Sequence, residues 1–171
     1  FNHKCFAYSF YYLCCYLYRN VLYGNDASNY SQEKLISIFV SNKTSISYIT
    51  KKDGLLDQIG YTKTTKNYPV SFFVEDEILQ FRHIDELKRI VPDLESPSPR
   101  FFIKEPVKAL VRFNNEDCTG TFYNFQNTHL IEINKFITLL TNKQLGHVGI
   151  YIYGFLKMMC DRHRDGYIVN N

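Results

Sequence analysis

The residues best suited to chemistry lie between positions 41 and 66. Ser41, Asn42, Lys43, Thr44, Ser45, Ser47, Tyr48, Lys51 and Lys52 put hydroxyls, one amide and several ammonium groups into a short stretch. Lys63, Thr64 and Lys66 come next, with no acid between them. Such groups grip phosphate oxygens and reach base edges in a groove. Ile46 and Ile49, three apart, are the expected inward anchors of a helix from about Lys43 to Lys52. The remaining side chains then form a small, hydroxylated and basic outward face, which suits a helix entering a major groove.

Other chemistries find no support in the spacing. There is no G-x-x-x-x-G-K-[ST] phosphate loop, no G-x-G-x-x-G after a strand, no G-x-S-x-G elbow, no H-E-x-x-H and no H-x-H. Gly146-His147-Val148-Gly149 is too short and lacks the context of a nucleotide loop. Cys160 and His163 can share a helix face, but a structural zinc site wants four ligands, and Cys118, His129 and His147 show no paired spacing. Adjacent Cys14 and Cys15 point about 100° apart on a helix. No metal, no small-molecule cofactor and no enzymatic activity is expected.

The elements around the basic stretch read in order. Residues 3–23 lack Pro and Gly, and Phe6, Phe10, Leu13, Leu17 and Leu22 recur near helical spacing until Gly24-Asn25-Asp26. Tyr8, Tyr11, Tyr12, Tyr16 and Tyr18 cover the other faces, so this helix is expected to be buried on more than one side. Ser31 is a plausible N-cap, with Glu33 in the first turn and Leu35, Ile36 and Phe39 as an inward stripe. Val40-Ser41-Asn42 reads as a turn, and Gly54 as the C-cap of the helix after it. Leu55–Tyr61 and Tyr68–Val74 then flank a polar tip bearing Lys63 and Lys66, the pattern of a hairpin.

Helix, helix, short turn, helix and basic-tipped hairpin together resemble the winged helix-turn-helix domains of bacterial regulators and plasmid replication initiators. The resemblance rests on Ser31-Gln32-Glu33-Lys34-Leu35, Ser41-Asn42-Lys43-Thr44-Ser45-Ile46 and Lys51-Lys52-Asp53-Gly54-Leu55-Leu56, and covers roughly residues 3–75. It implies double-stranded DNA as partner, with Lys63 and Lys66 holding phosphates from the wing, and a homodimer, here through the aromatic helices. Arg19 is the single arginine before residue 82, a departure that weakens guanine readout by bidentate arginine.

Beyond this stretch, residues 75–91 read as a short charged helix, and Pro92, Pro97 and Pro99 as an extended linker. Residues 101–133 read as β-rich, with strands at Phe101–Ile103, Val107–Phe113, Thr121–Phe125 and His129–Ile133. Helices are expected from Asn134 and over Leu145–His163. The expected fold class is α+β, with an N-terminal winged helix-turn-helix over residues 1–91. A second α+β domain over 100–171 is expected, closed by a long helix and readable as the start of another winged helix in a longer parent chain.

Composition sets outer bounds. The 171 residues are 45% hydrophobic and 22% charged, which excludes wholesale disorder, and the net charge of +3 puts the weight on local patches. Fourteen Tyr and fourteen Phe stand beside no Trp. Five cysteines without a C-x-x-C pair suggest reduced thiols of a cytoplasmic protein. The uncharged run Cys5–Tyr18 is shorter than the about 20 apolar residues a bilayer needs, so no membrane partner or signal peptide is expected. The function expected is DNA binding, as a transcriptional regulator or plasmid replication initiator. The alternative is a protein-interaction module built on a winged helix that no longer binds DNA.

Overall fold

The first helix, α1 (Asn2–Arg19), carries apolar residues around most of its circumference. It stops before Gly24 for a local reason. Val21 adopts a left-handed φ of 53°, its N–H reaches Tyr18 O, and the N–H of Leu22 reaches Leu17 O, both at 3.1 Å. These paired bonds close the helix as a Schellman cap, with valine where glycine is usual. In the computed structural model the described residues are 2–23, 34, 35, 37, 46–92, 94, 101–113, 117, 118, 120–123 and 128–163. The turn at Val40–Asn42 and most of the helix expected after Ser31 lie outside them. Leu35 is helical and buried, as an inward position should be.

The chain is a mixed α+β structure. After α1 come α2 (Ser47–Thr50), α3 (Leu55–Gln58), β1 (Lys63–Thr65), β2 (Pro69–Glu75), β3 (Ile78–His83) and α4 (Ile84–Ile90). Next are β4 (Ile103–Glu105), a 3-10 turn at Val107–Leu110, β5 (Arg112–Phe113), β6 (Asp117–Cys118), α5 (Ile133–Thr141) and α6 (Gly146–Arg162). Among the described residues the strands form three antiparallel pairs: β1 with β4, β2 with β3, and β5 with β6.

Two compact units divide the chain, residues 11–123 and residues 1–10 with 124–171. The first has a core of Leu17, Tyr18, Tyr23, Leu35, Tyr68, Ile84, Phe101, Ile103, Ala109 and Phe122. Tyr18 meets Phe81 edge-on at 5.1 Å and Tyr68 meets Phe101 edge-on at 5.4 Å between centroids, while Tyr18 stacks on Phe122 at 6.5 Å. Tyr18 Oη lies 2.7 Å from His83 Nε2, which gives the buried phenol a partner at the edge of that core. In the second unit, Phe6 packs edge-on against His147 and Tyr8 against Tyr151. Gly154 lets the Tyr8 ring lie close over α6, since a Cβ there would meet Tyr8 Oη and push the ring aside.

Several expectations change. Leu55–Gln58 is a helical turn rather than a strand, held by Gln58 N–H to Gly54 O and Ile59 N–H to Leu55 O. The hairpin is therefore β2–β3, not a pairing of Leu55–Tyr61 with Tyr68–Val74, and its tip is acidic: Glu75, Asp76 and Glu77. The helix expected from residue 75 starts only at Ile84, where Asn67 Oδ1 accepts the N–H of Asp85. Val107–Leu110 is a 3-10 turn in place of a strand, and residues 128–132 are not in a strand. The helices expected from Asn134 and over Leu145–His163 are present as α5 and α6.

Candidate nucleic-acid interface

The sequence Ile46-Ser47-Tyr48-Ile49 folds as one helical turn because its two isoleucines have a core to enter. Both are buried, at 6% and 1% exposure, while Ser47 and Tyr48 face solvent. The helix is shorter than the expected Lys43–Lys52. Lys51 leaves the helical region with φ −60° and ψ 163°, so Lys51 and Lys52 stand on the turn after α2. Two β-branched isoleucines and Thr50, low in helix propensity, give the turn little reason to extend. Ser41, Asn42, Lys43, Thr44 and Ser45 lie outside the described residues.

The backbone just past Lys52 is tightly determined. Asp53, not Gly54, takes the left-handed φ of 56°. Gly54 has φ −77° and precedes α3; its requirement is close approach, since a Cβ would fall 2.7 Å from Tyr48 O and 2.8 Å from Lys51 O. The expected glycine C-cap is thus replaced by an aspartate in the left-handed position and a glycine wedged against two carbonyls.

A buried ion pair holds this corner. Lys104 Nζ lies 2.8 Å from Asp57 Oδ2, with side-chain exposures of 1% and 11%, and donates to Lys51 O at 2.9 Å. The Asp57 carboxylate also accepts from Thr62 Oγ1 at 2.6 Å, Thr64 Oγ1 at 2.7 Å and the N–H of Asp53 at 3.0 Å. Burial alone would push this carboxyl up, but the Lys104 ammonium and the two threonine hydroxyls outweigh it and hold it below the usual carboxylate range. One carboxylate therefore ties together the turn after α2, α3 and both strands of the β1–β4 ribbon.

The ribbon explains where the remaining basic residues stand. β1 pairs with β4 in the register Lys63 to Glu105, Thr64 to Lys104 and Thr65 to Ile103. Alternation turns Thr64 and Lys104 toward Asp57 and leaves Lys63 exposed beside Glu105. Lys66 is exposed, its ammonium 5.1 Å from the Phe102 ring centroid. Lys108, exposed, is added by the 3-10 turn: its N–H reaches Tyr61 O at 3.5 Å. Of the residues expected at the interface, Ser47, Tyr48, Lys51, Lys52 and Lys63 are thus exposed around the Asp57 network, while Thr64 is spent inside it.

Sequence reasoning missed Asp57, Lys104 and Lys108. Asp57 in Leu55-Leu56-Asp57-Gln58-Ile59 is a lone acid among apolar residues, a signal that it needs a buried partner, whereas Lys104 ends the run Phe101-Phe102-Ile103 beside Glu105 and carries no such mark. Other chemistries gain nothing. Burial raises the Cys14 thiol well above its ordinary value and the Cys15 thiol to about 12, so neither is a thiolate nucleophile. Among the described residues no three His, Cys, Asp or Glu side chains gather as metal ligands, and no helix is long and apolar enough to cross a membrane.

No protein-family model matches the chain, and neither a curated protein nor a solved structure shows significant similarity to it.

Proposed function

We propose that residues 11–123 bind double-stranded DNA as a variant winged helix-turn-helix, in a cytoplasmic transcriptional regulator or plasmid replication initiator. The observation that carries the reading is the split between buried Ile46 and Ile49 and exposed Ser47, Tyr48, Lys51 and Lys52. In this reading α2 and its turn face the major groove. The wing is the β1–β4 ribbon with Lys63 and the adjacent Lys66, not the acid-tipped β2–β3 hairpin. Lys108 adds a phosphate contact from the neighbouring turn.

The electrostatics support a modest patch. Lys51, Lys52, Lys63 and Lys108 are exposed, Asp53 and Glu105 oppose them, and Asp57 is already matched by Lys104. The net positive charge is local and small, so affinity should fall with salt on a shallow slope. Fluorescence anisotropy of the 171-residue chain with duplex DNA, titrated against salt, tests the reading. Log affinity should fall linearly with log salt, and Lys51→Ala with Lys52→Ala should flatten the slope by about one unit for each phosphate no longer held. Binding without salt dependence, or none to any duplex, sinks it.

A second reading, a winged helix that serves as a protein-interaction module, is favoured by one observation. Phe72, Phe73 and Val74 on β2 are exposed at 56%, 40% and 65%. A salt-independent complex with another protein, and no duplex binding, would decide for it. The homodimer expected through the aromatic helices has α6 rather than α1 to draw on: Phe6, Phe10 and Tyr18 of α1 are buried, whereas Ile152, Phe155 and Leu156 of α6 are exposed.

A further inference from the structure

The β2–β3 hairpin has three properties that meet on one edge. The first is its turn. Asp76 and Glu77 both have positive φ, 49° and 63°, and the flanking pair is Glu75 with Ile78. This is a two-residue turn of the primed type, in which the flanking residues bond to each other and pairs alternate along the ladder. Glu75, Phe73 and Ser71 therefore direct their backbone groups at β3, while Phe72 and Val74 direct theirs away from it. Among the described residues β2 pairs with β3 alone, so this outward edge belongs to no sheet.

The second property is apolar. The edge residues Phe72 and Val74 expose their side chains as well as their backbone direction. Natural edges are usually blunted by lysine, proline or a bulge. Here Pro69 and the irregularity between Pro69 and Ser71 blunt the root of the strand, and Val70–Val74 carries no charge.

The third property is polarity along the strand. Lys66 precedes the root of β2, and Glu75, Asp76 and Glu77 crowd its tip. Two β2 strands aligned in parallel would set carboxylates against carboxylates. Aligned antiparallel about Phe72, they pair Val70 to Val74 of each copy and bring the Glu75, Asp76 and Glu77 tip up to the root of the other, where Pro69 and Tyr68 are buried and Lys66 is exposed. The strand is complementary to itself in one orientation.

We propose that a second copy of this chain docks on β2, edge to edge and antiparallel about a two-fold axis near Phe72. The two hairpins then make one four-stranded sheet, cover Phe72 and Val74, and exchange Lys66 with the acidic tip across the axis. The two-fold pairs the β2 edge of one copy with the β2 edge of the other, so this contact closes at two copies. The inference goes beyond the DNA reading and does not depend on it, but both draw on Lys66, so a dimer paired this way withdraws that ammonium from the wing. So short an interface belongs to the weak, concentration-dependent class.

Sedimentation velocity across protein concentration, without DNA, tests the proposal on the 171-residue chain. The wild type should show a monomer–dimer equilibrium that Val74→Lys weakens at least about tenfold. Lys66→Glu and Asp76→Lys should each weaken it about fivefold, and the double exchange should restore it, since opposite charges across paired strands contribute up to about 1 kcal/mol. Val74, Lys66 and Asp76 are all exposed, and an unchanged melting temperature verifies that each variant folds. A chain that stays monomeric at all concentrations overturns the proposal. So does a dimer that survives Val74→Lys but breaks with Phe155→Glu on α6, or a charge exchange that fails to rescue. Duplex binding by the Val74→Lys monomer, measured separately, reports on the DNA reading alone.

Discussion

Two corners of residues 11–123 solve opposite problems. The corner of α2, α3, β1 and β4 is fixed from beneath by one buried carboxylate and one buried ammonium, and what it exposes mixes Ser47, Lys51, Lys52 and Lys63 with Tyr48, Leu55 and Ile59. The β2–β3 ribbon has no buried charge along its outer half, exposes Phe72 and Val74, and turns on two acids at left-handed positions. The first arrangement fixes the turn that carries Lys51 and Lys52. The second keeps an apolar edge available. Positional precision is built where a buried network can be satisfied, and an exposed apolar edge where a local turn lets the strand project.

Removing the carboxylate should break this contrast most severely. Asp57→Asn leaves the Lys104 ammonium buried with a weaker partner, and losing one member of a buried pair costs about 3–5 kcal/mol. Urea denaturation should show that loss, and Asp57→Asn combined with Lys104→Met should recover much of it. Full retention of stability by the single variant would mean the corner is held by packing instead. The same single variant should leave β2–β3 self-association intact wherever the chain remains folded.

Gly54→Ala should cost less, about 1–3 kcal/mol, because the turn must move away from the new methyl at Tyr48 O and Lys51 O. The useful readout is the split between stability and DNA affinity. A displaced Lys51–Asp53 turn should lower duplex affinity even at temperatures where the variant is fully folded. Equal affinity would disconnect that turn from the interface.

The pH dependence sharpens the comparison further. The Asp57 carboxyl is held below its ordinary value in the folded chain, so its contribution is present above the unfolded value near about 4 and is lost as pH falls through the folded one. Stability should therefore decline below about pH 4 more steeply in the wild type than in the Asp57→Asn, Lys104→Met double variant. Parallel acid curves for the two proteins would argue against the network.

Sequence and structure agree where contacts are local. The spacing of Phe6, Phe10 and Leu17 suffices for α1, and the apolar runs of residues 133–141 and 146–162 suffice for α5 and α6. Ile46 and Ile49 are legible as anchors for the same reason. Agreement fails where the partner is distant. Lys63–Thr65 reads as one end of a local hairpin, but its ladder is completed by Ile103–Glu105, far along the chain, and nothing near Lys63 announces that. The true hairpin is hidden by its own turn: Glu75-Asp76-Glu77 carries no Asn-Gly signal and reads as the acidic start of a helix. The basic surface is half visible, since Lys51, Lys52 and Lys63 stand near their anchors in sequence while Lys104 and Lys108 arrive only with the long-range strand.

The smallest expected effect falls on the acidic turn. Asp76 and Glu77 occupy left-handed positions that Asn and Gly accept with less strain, so Asp76→Asn with Glu77→Gly should stabilise the hairpin by about 1 kcal/mol. Thermal unfolding should rise by a few degrees. The same change removes both carboxylates that face Lys66 across the two-fold, so self-association should weaken while stability improves. The two readouts moving in opposite directions would mark the acids as retained for docking rather than for folding. Stability and association rising together would show that the ribbon gains from a better turn alone and that its tip charges do nothing for a second copy.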